Sequence, residues 1–521
     1  MKFNDLIGSL QKVHPFNLWQ GDRKIFDATL QGISASSAEI KPGYVFAALK
    51  GTRVNGARFI PDAIDRGAVA IIACPESYHQ YSDQFPTVTF IETNNPKLCF
   101  ALMASLFYPK APEQIVAVTG TNGKSSTVYF VRQIWEKMGI RAASIGTLGT
   151  ISKHYKAPKH LTTPDPVFLH QTMQELNKNN ITHVAIEASS HGIDQFRLDG
   201  LKLSAGGFTS FGHDHLDYHK TLDKYFEAKA NLFSRLLKKT LGIAVLNSDI
   251  PEFKSLTEAS RGLPIISYGH KGKELKINQI TPHAKGQRIS LSVFEDTYKI
   301  DFPLLGDFQI QNALCALGLV LNDIDADIGK AVHALETLQS PPGRLEYIAQ
   351  TKRGATVYVD YAHAAHAIEM VLKTLRAHTQ NQLWIVFGAG GGRDPSTRLE
   401  MGKAAAQGAD HVIVTDDNPR YEEPALIREA ILRGAPKALD IPDRHDAIKY
   451  ALQHAASGDI ILVSGKGPEG GQIYADHIEP FLDKDVILKA LKQKVAHEKI
   501  SGQPPSLHTS QKDSLKETPT G

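Results

Sequence analysis

Ile115-Val-Ala-Val-Thr-Gly120-Thr-Asn-Gly123-Lys124-Ser125-Ser126-Thr127-Val-Tyr-Phe-Val-Arg-Gln-Ile-Trp135 is the stretch on which the fold turns. It begins with an apolar, β-branched run of the kind that fills a strand buried on both faces. A glycine-rich turn follows, then a segment compatible with a helix. Strand, glycine loop and helix N-terminus in that order form a phosphate cradle. Glycines let backbone N–H groups converge on phosphate oxygens, the helix dipole favours the anion, Lys124 offers charge to the β and γ phosphates, and a serine hydroxyl can ligate Mg²⁺. Gly120, Thr121, Asn122, Gly123, Lys124, Ser125 and Ser126 are therefore candidate ATP-binding residues, with Ser125 at the metal position. A glycine turn without a ligand is the competing reading, and it leaves the Lys-Ser pair at the helix start unexplained. The spacing is shorter than in a Gly-x-x-x-x-Gly-Lys-Ser/Thr loop, which argues against motor and GTPase families.

Outward from this loop, strand-length apolar runs at 183–189 and 242–249 alternate with helical segments, the pattern of a mostly parallel, helix-covered sheet. Before it, runs at 44–51 and 68–76 with turn signals at Lys41-Pro-Gly43 and Val54-Asn-Gly56 suggest a smaller α/β unit. After the break at Ser340-Pro-Pro-Gly343, runs at 355–363, 382–390, 411–417 and 459–467 begin a second strand series. The expected chain is α/β with three domains: a smaller N-terminal α/β domain over 1–110, a central P-loop ATPase-like parallel sheet over 111–338, and a doubly wound, Rossmann-like domain over 339–495. Residues 496–521 are polar and rich in Pro, Ser and Thr, and read as a disordered tail.

Composition excludes several classes. Lys and Arg number 58 against 55 Asp and Glu, too close a balance for nucleic-acid or membrane binding through bulk charge. Cys74, Cys99 and Cys315 are far apart and suggest neither a metal cluster nor a disulfide framework. No long apolar segment or leader pattern occurs, so a cytoplasmic protein is expected. No heptad pattern stands out, and a monomer is the default expectation.

The phosphate loop resembles that of the Mur ligase family, usually written Gly-Thr-Asn-Gly-Lys-Thr-Ser/Thr, and the resemblance extends from about residue 30 to about residue 490. It implies the residue roles that follow. Glu187, at the end of a strand, becomes a Mg²⁺ ligand, where residues alone allow a solvated strand-end glutamate. His215 resembles the second metal ligand, and Lys229 the lysine that CO₂ carbamylates in many members; residues alone make Lys229 a plain helix-surface lysine. Asn312, closing Gly306-Asp-Phe-Gln-Ile-Gln-Asn312, resembles the asparagine that meets adenine. Arg344, Asp360 and His363 resemble the groups with which the third domain closes over ribose and phosphates.

Ser36, Thr52 and Arg53 resemble a uridine-diphosphate site, and Thr162, Thr163, Ser189, Gln195 and Arg197 match positions that hold a muramoyl-dipeptide. Asp417-Asn418-Pro419-Arg420 resembles the motif of members that select meso-diaminopimelate, with Arg393, Gly465 and Glu469 completing the pocket. An arginine there can pair bidentately with the distal carboxylate that lysine lacks. The implied partners are thus ATP with Mg²⁺, UDP-N-acetylmuramoyl-dipeptide and meso-diaminopimelate, joined through an acyl phosphate.

Several positions depart from the family's habit: Ala35 and Ser37, Ser210, His213, Ala364-Ala365-His366, and Pro468 in place of histidine. They keep open altered specificity or a catalytically weakened precursor-binding homologue; a lysine-adding or D-Ala-D-Ala-adding member or a folylpolyglutamate-type ligase is the other alternative, against which the Asp417–Arg420 motif and the uridine-site pattern argue.

Overall fold

Residues alternate sides along the strand Gln114–Thr119, and the two sides enter different cores. Val116 and Val118 pack with Val128, Val131 and Trp135 of the helix Lys124–Lys137 and with Leu314 and Leu317 of the helix Asp307–Val320. Ile115 and Ala117 pack with Leu169 and Met173 of the helix Pro166–Lys178 and with Leu232 and Phe233. A strand covered on both faces has no polar side to show, so the run reads as continuous rather than alternating. Each fully buried aliphatic side chain contributes about 1.5–3 kcal/mol.

The structure is a computed structural model that describes residues 1–492 except 20, 52–53, 156, 158–160, 284–285 and 324–325. Thr52, Arg53 and the tail expected from 496 onward therefore lie outside the described residues.

Gln114–Thr119 sits inside a sheet of ten strands. Its parallel centre runs in the order Ile265–Gly269, Ile243–Asn247, Ala205–Phe208, Gln114–Thr119, His183–Glu187, Ala142–Gly146. The chain leaves Gln114–Thr119 for one side and returns to fill the other, so the loop after Thr119 opens at a topological switch point, where open parallel sheets bind ligands. An antiparallel meander, Leu275–His283, Gly286–Val293 and Asp296–Phe302, extends one edge.

The other two sheets are smaller. The N-terminal one has five strands in the order Asn17–Trp19, Thr89–Glu92, Ala68–Ala73, Tyr44–Ala47, Gly32–Ser34, parallel except at its first edge. The C-terminal one has six, in the order Glu346–Gln350, Thr356–Asp360, Ile460–Ser464, Leu383–Phe387, His411–Val414, Leu439–Asp440, again parallel except at the first edge. Its faces carry separate cores, Ile385 and Phe387 on one, Trp384 and Val386 on the other. The architecture is the expected three-part α/β one, and each apolar run read from the sequence falls on a strand.

Sequence reading passed over Ala205–Phe208, a central strand. Its Gly206 and Gly207 carry no β-propensity, and the reason is close packing: a Cβ on Gly207 would lie 2.8 Å from Cys315 Sγ, and one on Gly206 2.7 Å from Leu237. Among the described residues no helix is long and apolar enough to cross a membrane.

Candidate active site

The helix Lys124–Lys137 starts without a side-chain cap; Gly123, at φ 89°, occupies the cap position. Its first N–H groups are thereby left for an anion. A side chain at Gly123 would be strained by that φ and would also drive its Cβ to 2.3 Å from Asn312 Oδ1. The loop is tied down from the next strand end, where Ser210 Oγ accepts from Asn122 N at 3.0 Å and Thr209 Oγ1 donates to Asn122 O at 2.5 Å. Lys124 Nζ folds back to donate to Gly120 O and Thr121 O, both at 2.9 Å.

A cavity of about 220 Å³ opens beside the loop and brings together Lys124, Ser125, Glu187, His215, Lys229 and Arg344. Glu187 is buried rather than solvated, and its carboxylate accepts from Thr147 N at 2.9 Å and Thr147 Oγ1 at 3.2 Å. Burial raises its pKa, against the pull of Lys124 and Thr147. Lys229 is equally buried: Nζ donates to Gly120 O at 2.7 Å and stands 4.4 Å from the centre of the Tyr225 ring. Burial first, and the neighbouring Lys124 second, hold its pKa down to about 6, and Lys124 is itself lowered by burial. His215 adopts φ 53° and lies edge to face with His191 at 4.8 Å. Among the described residues no three His, Cys, Asp or Glu side chains converge as a metal site.

One wall continues into a polar shelf. Thr163 Oγ1 donates to Glu187 O at 2.7 Å and lies 3.0 Å from Ser189 Oγ, while Thr162 Oγ1 lies 3.1 Å from Thr147 Oγ1. Arg197 donates to Thr163 O and to Gln195 Oε1, each at 2.7 Å. The five residues expected at a dipeptide site thus form one network beside Glu187. Ser36, in the N-terminal unit, donates its N–H to Ser34 Oγ at 3.0 Å and is not among the residues lining the cavity.

On the far side of Gly123 and Asn312 lies a hollow of about 780 Å³, floored by Asn247, Asp249 and Gln311 and walled by Met370, Lys373 and Thr374 of the helix Ala365–Arg376. Asp249 went unnoticed in the sequence. It accepts from His270 N at 2.7 Å, Lys271 N at 2.9 Å and Gln311 Nε2 at 2.8 Å, so it fixes the floor. Asp360 accepts the amides of Leu345 at 2.6 Å and Ala362 at 2.7 Å, which shapes the loop carrying Arg344 and His363. Arg344 stands 5.0 Å over Tyr361, and His363 pairs with Tyr361 O at 2.7 Å.

The third cluster belongs to the C-terminal sheet. Lys466, fully buried and also missed, donates to Asn418 Oδ1 and Gly471 O at 2.8 Å and stands 3.9 Å from Asp417. Asn418 Nδ2 donates to Glu469 Oε2 at 2.7 Å, and Tyr361 OH to Glu469 Oε1 at 3.2 Å. Gly465, at φ 113°, lets the strand end pass Asp417, whose Oδ2 is 2.7 Å from where a Cβ would sit. Arg420 takes φ 55° and donates to Gly391 O at 2.7 Å. That is its guanidinium's one hydrogen bond among the described residues, and Arg393 beside it is exposed with none.

Family models match in three consecutive blocks: "Mur ligase family, catalytic domain" over 29–113, "Mur ligase middle domain" over 118–320 and "Mur ligase, glutamate ligase domain" over 343–467. The UDP-N-acetylmuramoyl-L-alanyl-D-glutamate--2,6-diaminopimelate ligase of Mesorhizobium japonicum is 44% identical over 472 residues, 90% of this chain and 96% of that protein. This chain belongs to the Mur ligase family. A ligase of the same name from Chelativorans sp. is 45% identical over 473 residues, 90% of this chain and 96% of its own. A solved structure with that name, 29% identical, aligns at TM-score 0.71 over 92% of this chain and 98% of that one. The MurF ligase of Thermotoga maritima in complex with ADP shares the fold at TM-score 0.57 and 19% identity, over 88% of this chain and 96% of its own.

As a Mur ligase the chain carries its departures in telling places. Ser210 fastens the phosphate loop with its hydroxyl. Pro468 packs against Gly343, whose Cβ would come within 2.5 Å of its ring. Ala364 caps the helix Ala365–Arg376 without a side-chain bond. His213 is exposed, and nothing in its surroundings explains it.

Proposed function

We propose that this chain is an ATP-dependent ligase that joins meso-diaminopimelate to the D-glutamyl carboxylate of UDP-N-acetylmuramoyl-L-Ala-D-Glu, in the cytoplasmic synthesis of peptidoglycan precursors. The observation that carries this is the shared wall of the 220 Å³ cavity, where the phosphate loop and the Thr162–Ser189 shelf face one another. A phosphoryl donor and an accepting carboxylate would meet there. With domain limits of 1–110, 111–338 and 339–495, the uridine end falls to the first unit, the phosphate loop and dipeptide shelf to the second, and the amino acid to the third.

Lys124 and the amides of Thr121 to Ser126 would hold the γ-phosphate, and Asn312 the adenine, with Arg344, Asp360 and His363 organising ribose and phosphates from the third domain. Thr162, Thr163, Ser189, Gln195 and Arg197 would orient the dipeptide, and Ser36, with Thr52 and Arg53, the uridine end. The glutamyl carboxylate attacks the γ-phosphorus, ADP leaves and an acyl phosphate forms. The amine of diaminopimelate attacks its carbonyl, and phosphate departs. Arg393 and Arg420 would grip the distal carboxylate and Glu469 the distal ammonium, with Asp417, Asn418 and Gly465 shaping the pocket.

Ser125, Glu187, His215 and a carbamate on Lys229 are the groups that would hold Mg²⁺. The donor set fits once Lys229 reacts, because an amine held near pKa 6 is largely unprotonated at neutral pH and becomes an anionic oxygen ligand by adding CO₂ at Nζ and releasing an N–H proton to solvent. Bound Mg²⁺ would neutralise the oxygens of the transferring phosphate.

The test is ADP release with the UDP-muramoyl-dipeptide and diaminopimelate, against lysine in its place. Turnover with diaminopimelate and little with lysine is expected; no turnover with any amino acid despite tight nucleotide binding would end the proposal.

A further inference from the structure

The loops that carry the two arginines of the amino-acid pocket also hold a carboxylate. Glu422 follows Arg420 by two residues, and its Oε1 accepts the N–H of Gly392, the neighbour of Arg393. The loops are laced together at the same place: Arg420 Nη1 donates to Gly391 O at 2.7 Å, and Gly391 N to Asn418 O at 2.8 Å. Freed from its anchor, a carboxylate on these loops could turn to the guanidiniums they carry and close the pocket to a substrate anion. It does not, because a third arginine holds it. Arg398, buried in the helix Ser396–Gly408, places Nη2 3.0 Å from Glu422 Oε1 and 2.8 Å from Oε2.

We propose that Arg398 is a positioning residue for amino-acid selection: by neutralising and anchoring Glu422, it keeps Arg393 and Arg420 open for the distal carboxylate of a diamino diacid. Glu422 in turn fixes the Gly390–Arg393 loop through Gly392. The inference rests on the reading of that cluster as the diaminopimelate pocket. It makes a signed statement that a packing role does not: removing Arg398 should do harm chiefly because Glu422 remains.

The experiment compares R398M, E422Q, R398K and the double variant R398M/E422Q, with steady-state constants for all three substrates and melting temperatures. R398M is expected to raise KM for diaminopimelate by about tenfold or more, with kcat and the other two KM values within about twofold. E422Q, which keeps an acceptor for Gly392, and R398K, which keeps the charge, should stay within about threefold of wild type. The double variant should recover most of what R398M loses, since the competing anion is gone. A double variant no better than R398M, or three KM values rising together with a fallen melting temperature, would overturn the proposal. Wild-type protein that turns over another amino acid and not diaminopimelate would instead overturn the functional reading on which it stands.

Discussion

The phosphate-loop cavity and the C-terminal amino-acid cluster handle buried charge in opposite ways. In the cavity, Lys124 and Lys229 crowd the same carbonyl of Gly120, both with lowered pKa, while the nearby Glu187 is raised by burial. In the C-terminal cluster, Arg444 pairs with Asp483 at 2.7 Å with both side chains fully buried, Arg428 pairs with Asp416 and Asp440, and Arg398 with Glu422. In the first region the charged groups bond to backbone and hydroxyl partners rather than to one another, and on the proposed reading phosphate, metal and CO₂ would complete them. The second is built beforehand and leaves two guanidiniums open. A group that must change partner during a reaction gains from the first arrangement, whereas one that must discriminate shapes gains from the second.

Lys229→Met strikes the first region hardest. On the proposed reading the loss of a carbamate at this position should lower kcat by about a hundredfold or more, and mass spectrometry should find the CO₂ adduct on wild type alone. The same change should stabilise the fold. Lys229 sheds its proton near pH 6 in the folded chain and near 10.5 when unfolded, so between those values the unfolded state binds more protons and stability climbs with pH. In CO₂-free buffer the variant should therefore melt higher than wild type, with the larger gain near pH 6.5 than near pH 9. An unchanged melting curve at both pH values would mean that the cavity is not strained and the contrast fails.

Arg420→Ala tests the second region. It should raise KM for diaminopimelate by about ten- to a hundredfold, narrow the preference over lysine, and leave kcat within a few fold. Arg420 sits at φ 55°, a conformation costing an arginine of order 1 kcal/mol, held by its N–H to Ile473 O at 3.0 Å. A fall in kcat with KM unchanged would place this side chain in the chemistry rather than in selection.

What the sequence disclosed follows the same division. The sheets were legible because buried parallel strands concentrate β-branched residues, as in Val116 to Thr119 and Ile460 to Val463. The central strand Ala205–Phe208 was not, its glycines serving close packing, nor was the half-exposed meander from Leu275. The phosphate loop was legible because its residues are contiguous. Burial of Lys229 was hidden, since helical spacing cannot tell which lysine lies under a loop more than a hundred residues away. Thr147, Asp249, Arg398 and Glu422 escaped for the same reason, each meeting its partner through tertiary contact. Lys466 left one usable trace, a lone lysine between two glycines directly after a buried strand.

The helix Ala365–Arg376 lies on the seam between the two regions, with Met370, Lys373 and Thr374 walling the 780 Å³ hollow and Gly306 of the central unit within 2.5 Å of Thr374 for any added Cβ. Its N-cap, Ala364, has the extended φ −134° and ψ 153° that a capping residue needs but no oxygen to offer. Ala364→Thr should therefore satisfy an N–H of the first turn and raise stability by about 1 kcal/mol, a shift of about 2–4 °C for a unit this size. Because the hydroxyl would act on the backbone at the far end from Lys373, KM for ATP and for diaminopimelate should stay put. A higher melting temperature with unchanged KM values would make this helix a passive wall between a strained site and a preorganised one. If KM for ATP moved with stability, the cap would be part of the nucleotide site, and the boundary between the two regions would have to be drawn one loop earlier, at Asp360.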